Sequence, residues 1–332
     1  MKVLVTGGAG YIGSQTCKSL ALAGHEPVVY DNLSEGYRWA VKWGPFEEGD
    51  IADQKRLESV MRNHRIEAVV HFAANAYVGE SMQNPMKYFS NNVAGTVRLL
   101  DAMLNCGVGT IVFSSTCTVY GEPETMPIDE ATPLKPVNPY GESKLMIEKQ
   151  LGWLGKLKGL RWIALRYFNA AGADPAGEIG EAHDPETHLI PLVLRAAAPG
   201  DFSLQVFGSD YATPDGTAVR DYIHVQDLAA AHVLALRALQ GAAVNDVFNL
   251  GTGKGASVRE IIATVEKITG AKVRHQIGPR RAGDPQALVA SPKKALEKLG
   301  WRASRSELEM IISDAWAWYC KQNALVVEHN TR

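Results

Sequence analysis

The chain has 332 residues, 46% of them hydrophobic and 21% charged, with a formal net charge of −2, an ordinary balance for one large domain or two smaller ones around a sizeable core. Near-neutral charge gives no electrostatic case for a nucleic acid or an anionic membrane as partner, and no apolar run is long enough to span a bilayer. Cys17, Cys106, Cys117 and Cys320 stand far apart without metal-ligand spacing, so no metal, buried reduced thiols and a cytoplasmic location are expected.

The opening segment, MKVLVTGGAGYIGSQTCKSLALAGHEPVVYDN, reads as strand, glycine turn, helix and strand. A strand from residue 2 leaves no room for a signal peptide. Val3 to Val5 form a short buried run, and Gly7, Gly10 and Gly13 follow at GxxGxxG spacing. Glycines there allow a tight turn, close approach to a pyrophosphate and close helix-on-strand packing, with the phosphates at the helix N-terminus. Asp31 ends the second strand, where an acid accepts hydrogen bonds from a ribose and repels a 2′-phosphate, favouring NAD over NADP.

A polar, aromatic stretch then leads to a short strand near Pro45 to Glu48 and to Gly49-Asp50-Ile51. Asp50-Ile51 suits an adenine-contacting edge or a helix N-cap for the segment from Asp53. The run from Ala68 to Ala74 reads as a buried strand ending in small residues, with His71 a packed strand-end side chain. A helix containing Asn91-Asn92 follows, then the strand Thr110 to Phe113 ending in Ser114-Ser115-Thr116. Hydroxyls at a strand C-terminus stand where open α/β sheets bind ligands, or are simply satisfied there.

In PYGESKLMIEKQL, Asn138-Pro139 signals a helix start, and Tyr140 and Lys144 share one helix face. A free phenol titrates near pH ~10; a fixed positive charge beside it, helped by a positively charged cofactor, favours the phenolate and makes Tyr140 a usable base. YxxxK alone also arises by chance on exposed helices, so its weight comes from the glycine motif.

Beyond the strand ending at Asn169 the alternation breaks. Residues 170–220 are rich in Gly, Pro, Asp and His around one apolar helix, Leu189 to Ala198. Strand and helix return over 221–250, with a helix from Gln226 to Leu239 and a strand from Val247 to Leu250. Residues 251–332 hold a helix near Val258 to Ile268, the loop GPRRAGDP and a terminal helix whose Trp316 and Trp318 suit core packing. The expected architecture is α/β: a Rossmann-type doubly wound parallel sheet (1–169 plus 221–250) with a smaller α/β substrate-binding domain (170–220 plus 251–332).

VLVTGGAGYIGS, VVHFAA, NNVAGT, FSSTCTVYG, NPYGESK, LRYFNAAGA, VRDYIHVQDLA, FNLGTG and PRRAGDP together resemble the extended short-chain dehydrogenase/reductase family and, within it, the UDP-glucose 4-epimerases, over nearly the whole chain. The resemblance implies tightly bound NAD, a UDP-sugar substrate and a homodimer formed through the Asn91 and Tyr140 helices. It implies that Gly7, Gly10 and Gly13 with the Tyr11 and Ile12 amides bind the pyrophosphate, and Asp31 and Asn32 the adenosine ribose. Asp50, Ile51, Phe72, Ala73, Ala74, Asn91, Ser114 and Tyr167 complete that site. Tyr140 is the implied base, Lys144 its partner and ribose anchor, and Thr116 the hydroxyl shared with the sugar. Asn169, Leu189, Gln205, Phe207, Arg220, Arg281 and Asp284 are implied UDP-sugar contacts. A diphosphate needs guanidinium partners in any case, so Arg220 and Arg281 are candidates on that ground too, against plain surface arginines.

Three departures stand out. Thr116 replaces a Ser and keeps the hydroxyl. Ala76 stands where some relatives place a Lys on the cofactor, leaving Asn75 or Tyr77 to compensate. His188 replaces a sugar-side Asn and Leu288 a pocket-closing Tyr, which opens the question of a UDP-N-acetylhexosamine or a UDP-pentose as main substrate. The implied reaction inverts C4 of a UDP-hexose, UDP-glucose to UDP-galactose and back, through a 4-keto intermediate, as in galactose metabolism. The related 4,6-dehydratases need an acid pair after the strand-end hydroxyl, where this chain has Cys117 and Thr118. A regulator using the fold only to sense a nucleotide would not need Tyr140, Lys144 and Thr116 together.

Overall fold

The computed structural model describes residues 1–241, 245–281 and 285–330. Its centre is a seven-stranded sheet in which every neighbouring pair is parallel. The chain lays down β1 (Lys2–Thr6), β2 (Glu26–Asp31) and β3 (Phe46–Glu48) outward in one direction. It then crosses back to place β4 (Ala68–His71), β5 (Thr110–Thr116), β6 (Arg161–Tyr167) and the strand Asp246–Leu250 on the other side of β1. The order therefore reverses between β1 and β4, the position where open α/β sheets leave a crevice beyond their strand ends. The register aligns those ends, with Thr6 opposite both Tyr30 and His71, and Thr116 opposite Tyr167.

The sheet strands are buried on both faces, which explains their continuous apolar runs. One core joins α1 (Tyr11–Leu22), through Cys17 and Leu20, to the helix Val225–Gln240. The other packs Leu57, Val60 and Met61 of α2 (Gln54–His64) and Leu99 and Met103 of the helix Thr96–Cys106 on the opposite face. A third core gathers Ile190, Val193 and Leu194 with Ile261, Val265, Ile311 and Ile312, away from the main sheet. Short pairings accompany it: Asn169–Ala171 with Tyr222–His224, Leu204–Phe207 with His275–Gly278, and Val219–Arg220 between Ala256–Ser257 and Ala287–Leu288.

Several boundaries differ from the sequence reading. β4 stops at His71 because the Phe72 and Ala73 amides both turn onto the Thr6 carbonyl, at 2.9 and 3.1 Å. The α2 cap is Asp53, which accepts from the Arg56 amide, whereas Asp50 accepts from the Ala52 amide and from Asn32 Nδ2. Asn91 and Asn92 lie in a π-helical stretch, Phe89–Gly95. Trp318 is buried, as expected of core packing, with Nε1 donating to the Glu181 carbonyl. Of the four free cysteines only Cys17 and Cys117 are buried, and Cys320 is exposed.

Candidate active site

The crevice at the β1–β4 crossover is built from backbone. A Cβ on Gly7 would stand 2.6 Å from the Ala73 nitrogen, and one on Gly13 would stand 2.1 Å from the Gly7 carbonyl oxygen. Only glycine lets the turn fold this tightly, and Gly7 also has a φ of +72°. Gly10 caps α1 without any side-chain hydrogen bond, and the first turn holds no acidic residue. The amides of Tyr11, Ile12 and Gly13 are thus left for an anion at the positive end of the helix. Asp31, at the end of β2, is buried and takes the Ala9 and Leu33 amides on separate oxygens, which keeps each oxygen able to accept once more. Asn32 Nδ2 bonds Asp50 at 2.8 Å, so the two polar residues after β2 and β3 form one rim. Ile51 is buried behind that rim, and Phe72 packs on His232 with ring centres 4.6 Å apart. These residues fit a dinucleotide: an uncapped helix start for two phosphates, an acid for a ribose and a rim for a base.

The other end of the crevice holds hydroxyls and a buried amine. Asn138 caps the helix Pro139–Lys158 by accepting from the Gly141 amide, which fixes Tyr140 in the first turn. The Tyr140 phenol neighbours the Thr116 side chain, and Thr116 Oγ1 lies 2.9 Å from Thr118 Oγ1. Lys144 Nζ donates to the Ser114 carbonyl at 2.9 Å and stands over the Phe113 ring. Ser114 Oγ in turn meets the Tyr167 hydroxyl at 2.5 Å. Tyr140, Lys144, Thr116, Ser114 and Tyr167 therefore form one connected group on β5, β6 and the adjoining helix.

Its electrostatics are set first by burial. Burial pushes the Tyr140 phenol far above its usual value, Tyr167 adds to that, and the neighbouring Thr116 side chain only partly offsets it. Burial also pulls Lys144 down to about 7, against the opposing pull of Glu148 one turn later on the helix. The amine by itself does not make the phenol acidic. A further positive charge facing the ring is required, as an oxidised nicotinamide carries.

His71 is a packed side chain, its two nitrogens on the hydroxyls of Thr6 and Thr96. Asn75 is tied through its amide and carbonyl to Asn92, and Tyr77 lies against His183 and His188, so both candidates for replacing the cationic contact missing at Ala76 are held by protein partners. Asn91 donates to Asn92, whose own amide reaches Ser143 on the Tyr140 helix.

On the sugar side, Asn169 donates to the Asp221 carbonyl, and Leu189 opens the helix Leu189–Ala197 directly after His188. Arg220 and Leu288 are register partners on adjacent strands. Arg281 sits 3.9 Å over the Phe207 ring, and Gln205 lies on the same short strand as Phe207. His188 Nδ1 is occupied by Glu181 at 2.5 Å, which leaves its Nε2 edge for a ligand. Asp284 lies outside the described residues.

Three groups were not legible as functional. Asp221 is fully buried and accepts from the Thr252, Gly253 and Ala290 amides, which anchors the Arg220–Leu288 region. Glu148 and Arg166 form a buried pair behind Lys144. Glu181, His183, Glu186 and His188 converge near Tyr11. Each is assembled from residues whose neighbours in sequence give no periodic signal, although the Glu/His spacing in GEAHDPETH was available as a cue.

Residues 3–251 match the model of the NAD dependent epimerase/dehydratase family. The UDP-glucose 4-epimerase of Lacticaseibacillus casei is 50% identical over 320 residues, which cover 96% of this chain and 97% of that protein. The structure of UDP-glucose 4-epimerase from Brucella ovis in complex with NAD superposes with a TM-score of 0.93 at 54% identity, covering 95% of this chain and 97% of that one. A UDP-glucose-4-epimerase from Stenotrophomonas maltophila with bound NAD and formylated UDP-arabinopyranose gives a TM-score of 0.94 at 43% identity, over 98% and 99% of the two chains.

Proposed function

The chain belongs to the NAD dependent epimerase/dehydratase family, and from that premise we propose that it inverts C4 of a UDP-hexose, interconverting UDP-glucose and UDP-galactose with NAD held throughout. The observation that carries this reading is the gathering of Tyr140, the neighbouring Thr116 side chain and buried Lys144 at the mouth of a glycine-lined dinucleotide crevice. Gly7, Gly10 and Gly13 with the Tyr11 and Ile12 amides take the pyrophosphate, and Asp31, Asn32, Asp50 and Ile51 the adenosine. Phe72, Ala73, Ala74, Asn91, Ser114 and Tyr167 line the rest. The cofactor supplies a positive ring that accepts the C4 hydride and later returns it to the opposite face.

Tyr140 removes the 4-hydroxyl proton, with Thr116 holding that oxygen, and gives the proton back after the 4-keto sugar has turned. Lys144 holds the ribose and stabilises the phenolate. Asn169, His188, Leu189, Gln205, Phe207, Arg220, Arg281, Asp284 and Leu288 hold the UDP-sugar, the two guanidiniums meeting the diphosphate. In this reading residues 1–169 and 221–250 form the cofactor domain, and 170–220 with 251–332 the substrate domain. Thr118 bonds Thr116, and neither Cys117 nor Thr118 carries the carboxylate that elimination of water from C5 and C6 needs.

A second reading, action on a UDP-N-acetylhexosamine or UDP-pentose, is favoured by one observation: Leu288, a side chain without a hydroxyl, pairs in register with Arg220. The chain is further proposed to work as a cytoplasmic homodimer in galactose metabolism. Among the described residues no helix is long and apolar enough to cross a membrane. Val97, Trp153 and Leu157 are exposed on the helices that follow Asn91 and Tyr140, which suits a second copy there. The experiment is direct. Purified protein given UDP-galactose and no added NAD forms UDP-glucose; product that appears only with stoichiometric external cofactor would make it a dehydrogenase instead.

A further inference from the structure

Between the strand Asn169–Ala171 and the helix Leu189–Ala197, the segment GEAHDPETH folds two imidazoles and two carboxylates onto one point. One nitrogen or oxygen from each of Glu181, His183, Glu186 and His188 lies within 4.8 Å of all the others. Both histidines present Nδ1. His183 Nδ1 stands 3.3 Å from Glu181 Oε1 and 3.6 Å from Glu186 Oε2, and His188 Nδ1 stands 2.5 Å from Glu181 Oε1 and 3.6 Å from Glu186 Oε1.

Ion pairs join the two histidines to the two carboxylates, but mostly at long range. Hydrogen bonds between charged nitrogen and oxygen run about 2.7–2.9 Å, and three of the four separations are longer. His183 Nδ1 is shielded from solvent and makes no hydrogen bond of acceptable geometry. Ligands about 2.0–2.1 Å from a tetrahedral zinc ion stand roughly 3.3–3.4 Å from one another, which matches the 3.3 Å between His183 and Glu181, while Glu186 reaches each imidazole at 3.6 Å through a different oxygen and would turn one of them to the ion. A cation at the centre would also open the short His188–Glu181 contact.

The surroundings are those of a fixed site. The Thr187 and His188 amides both donate to Glu186 Oε1, at 2.7 and 2.8 Å, and orient that carboxylate. The Glu181 backbone is pinned by the Trp318 indole through its carbonyl at 2.9 Å. Tyr77 packs against both imidazoles, and the Tyr11 ring stands edge-on to His183 while its hydroxyl donates to the Gly172 carbonyl.

We propose that Glu181, His183, Glu186 and His188 form a four-ligand structural site for a divalent transition metal, zinc in particular, which locks this segment against the glycine turn at Tyr11. Two nitrogens and two carboxylate oxygens suit zinc, and four protein ligands leave no open position for chemistry at the ion. His188 would meet the ion through Nδ1 and keep Nε2 for the sugar, and the test reads metal content and stability rather than turnover, so its failure and that of the epimerase reading are distinguishable.

The test uses full-length, tag-free, cofactor-loaded protein equilibrated with zinc chloride and dialysed. Elemental analysis is expected to find about one zinc per chain, and cobalt in its place is expected to give the visible absorption of a four-coordinate ion. Zinc should raise the melting temperature of the parent protein and leave Glu181→Gln and His183→Gln unmoved. Loss of one ligand should weaken zinc binding by more than the roughly 10–100-fold that outer-shell partners cost. Glu186→Gln serves in place of either variant that fails to fold. Parent protein that retains no zinc and melts at the same temperature with and without it would overturn the proposal. So would folded variants that retain zinc as the parent does.

Discussion

Lys144 Nζ lies 5.9 Å from the centre of the Tyr140 ring, one helical turn away, and its hydrogen bond goes to the Ser114 carbonyl rather than to the phenol. The amine thus acts on the phenol through space, in a pocket whose dryness raises the phenol and lowers the amine together. In the proposed reaction the Tyr140 oxygen takes the proton of a sugar hydroxyl held by the neighbouring Thr116. Tyr140→Phe removes that oxygen and little packing volume. Its turnover of UDP-galactose should fall by about 10²–10⁴-fold or more, the usual worth of a positioned base. NAD released on denaturing the variant should equal that of the parent. Full activity in the variant would remove Tyr140 from the mechanism.

The second reading places the substrate range on Leu288. Its strand is fixed from behind by Asp221, which holds the Ala290 amide, and from the side by Arg220. Leu288→Tyr adds bulk without asking the strand to move. The ratio of kcat/KM for UDP-N-acetylglucosamine to that for UDP-glucose should drop by about tenfold or more, a pocket-size effect of the ordinary magnitude. Assays of both sugars and of UDP-xylose, parent against variant, measure it. An unchanged ratio would mean that Leu288 does not bound the sugar pocket.

The parts of this site that the sequence made legible are the local ones. Gly7, Gly10 and Gly13 announce their turn because the steric demand falls on consecutive residues, and Asn138-Pro139 announces the helix that presents Tyr140. Asp31 was legible because a strand end leaves little freedom in where an acid points. The pairing of Asn92 with Ser143 and of Glu148 with Arg166 was not, since each joins separate elements through one pair of side chains. The strength of burial around Tyr140 was not legible for a related reason. Spacing shows that an amine is near, while burial, which here acts more strongly on both groups, depends on everything packed around them.

The Glu148–Arg166 pair is where burial can be measured as stability. Arg166 meets both Glu148 oxygens, at 2.9 and 2.5 Å, and also donates to the Tyr120 hydroxyl, which passes to Asn249. Ser115 takes the remaining position on Glu148. Arg166→Met leaves a buried carboxylate without its cation and should cost about 3–5 kcal/mol in urea unfolding. The double variant Glu148→Leu with Arg166→Met should recover much of that loss, because two desolvated charges go together. A double variant as unstable as the single one would show that packing, and not the stranded charge, sets the cost.

His71 and His232 set the acid limit. Burial holds them down to about 3 and about 4, so both are neutral in the folded protein near neutral pH. Unfolded histidine titrates near pH ~6.5, so between the two values the unfolded chain binds more protons than the native one. Their contribution is therefore fully present above pH ~6.5 and is lost as the pH falls toward 4, by about 1.4 kcal/mol per pH unit for each fully titrating histidine. His71 lies between the Thr6 and Thr96 hydroxyls, and replacing it with Gln keeps a polar partner for both while removing the titration. Unfolding free energies taken from pH 7 down to 5 should fall in the parent and fall less steeply in His71→Gln. Equal slopes in the two proteins would show that His71 is not a source of the acid sensitivity.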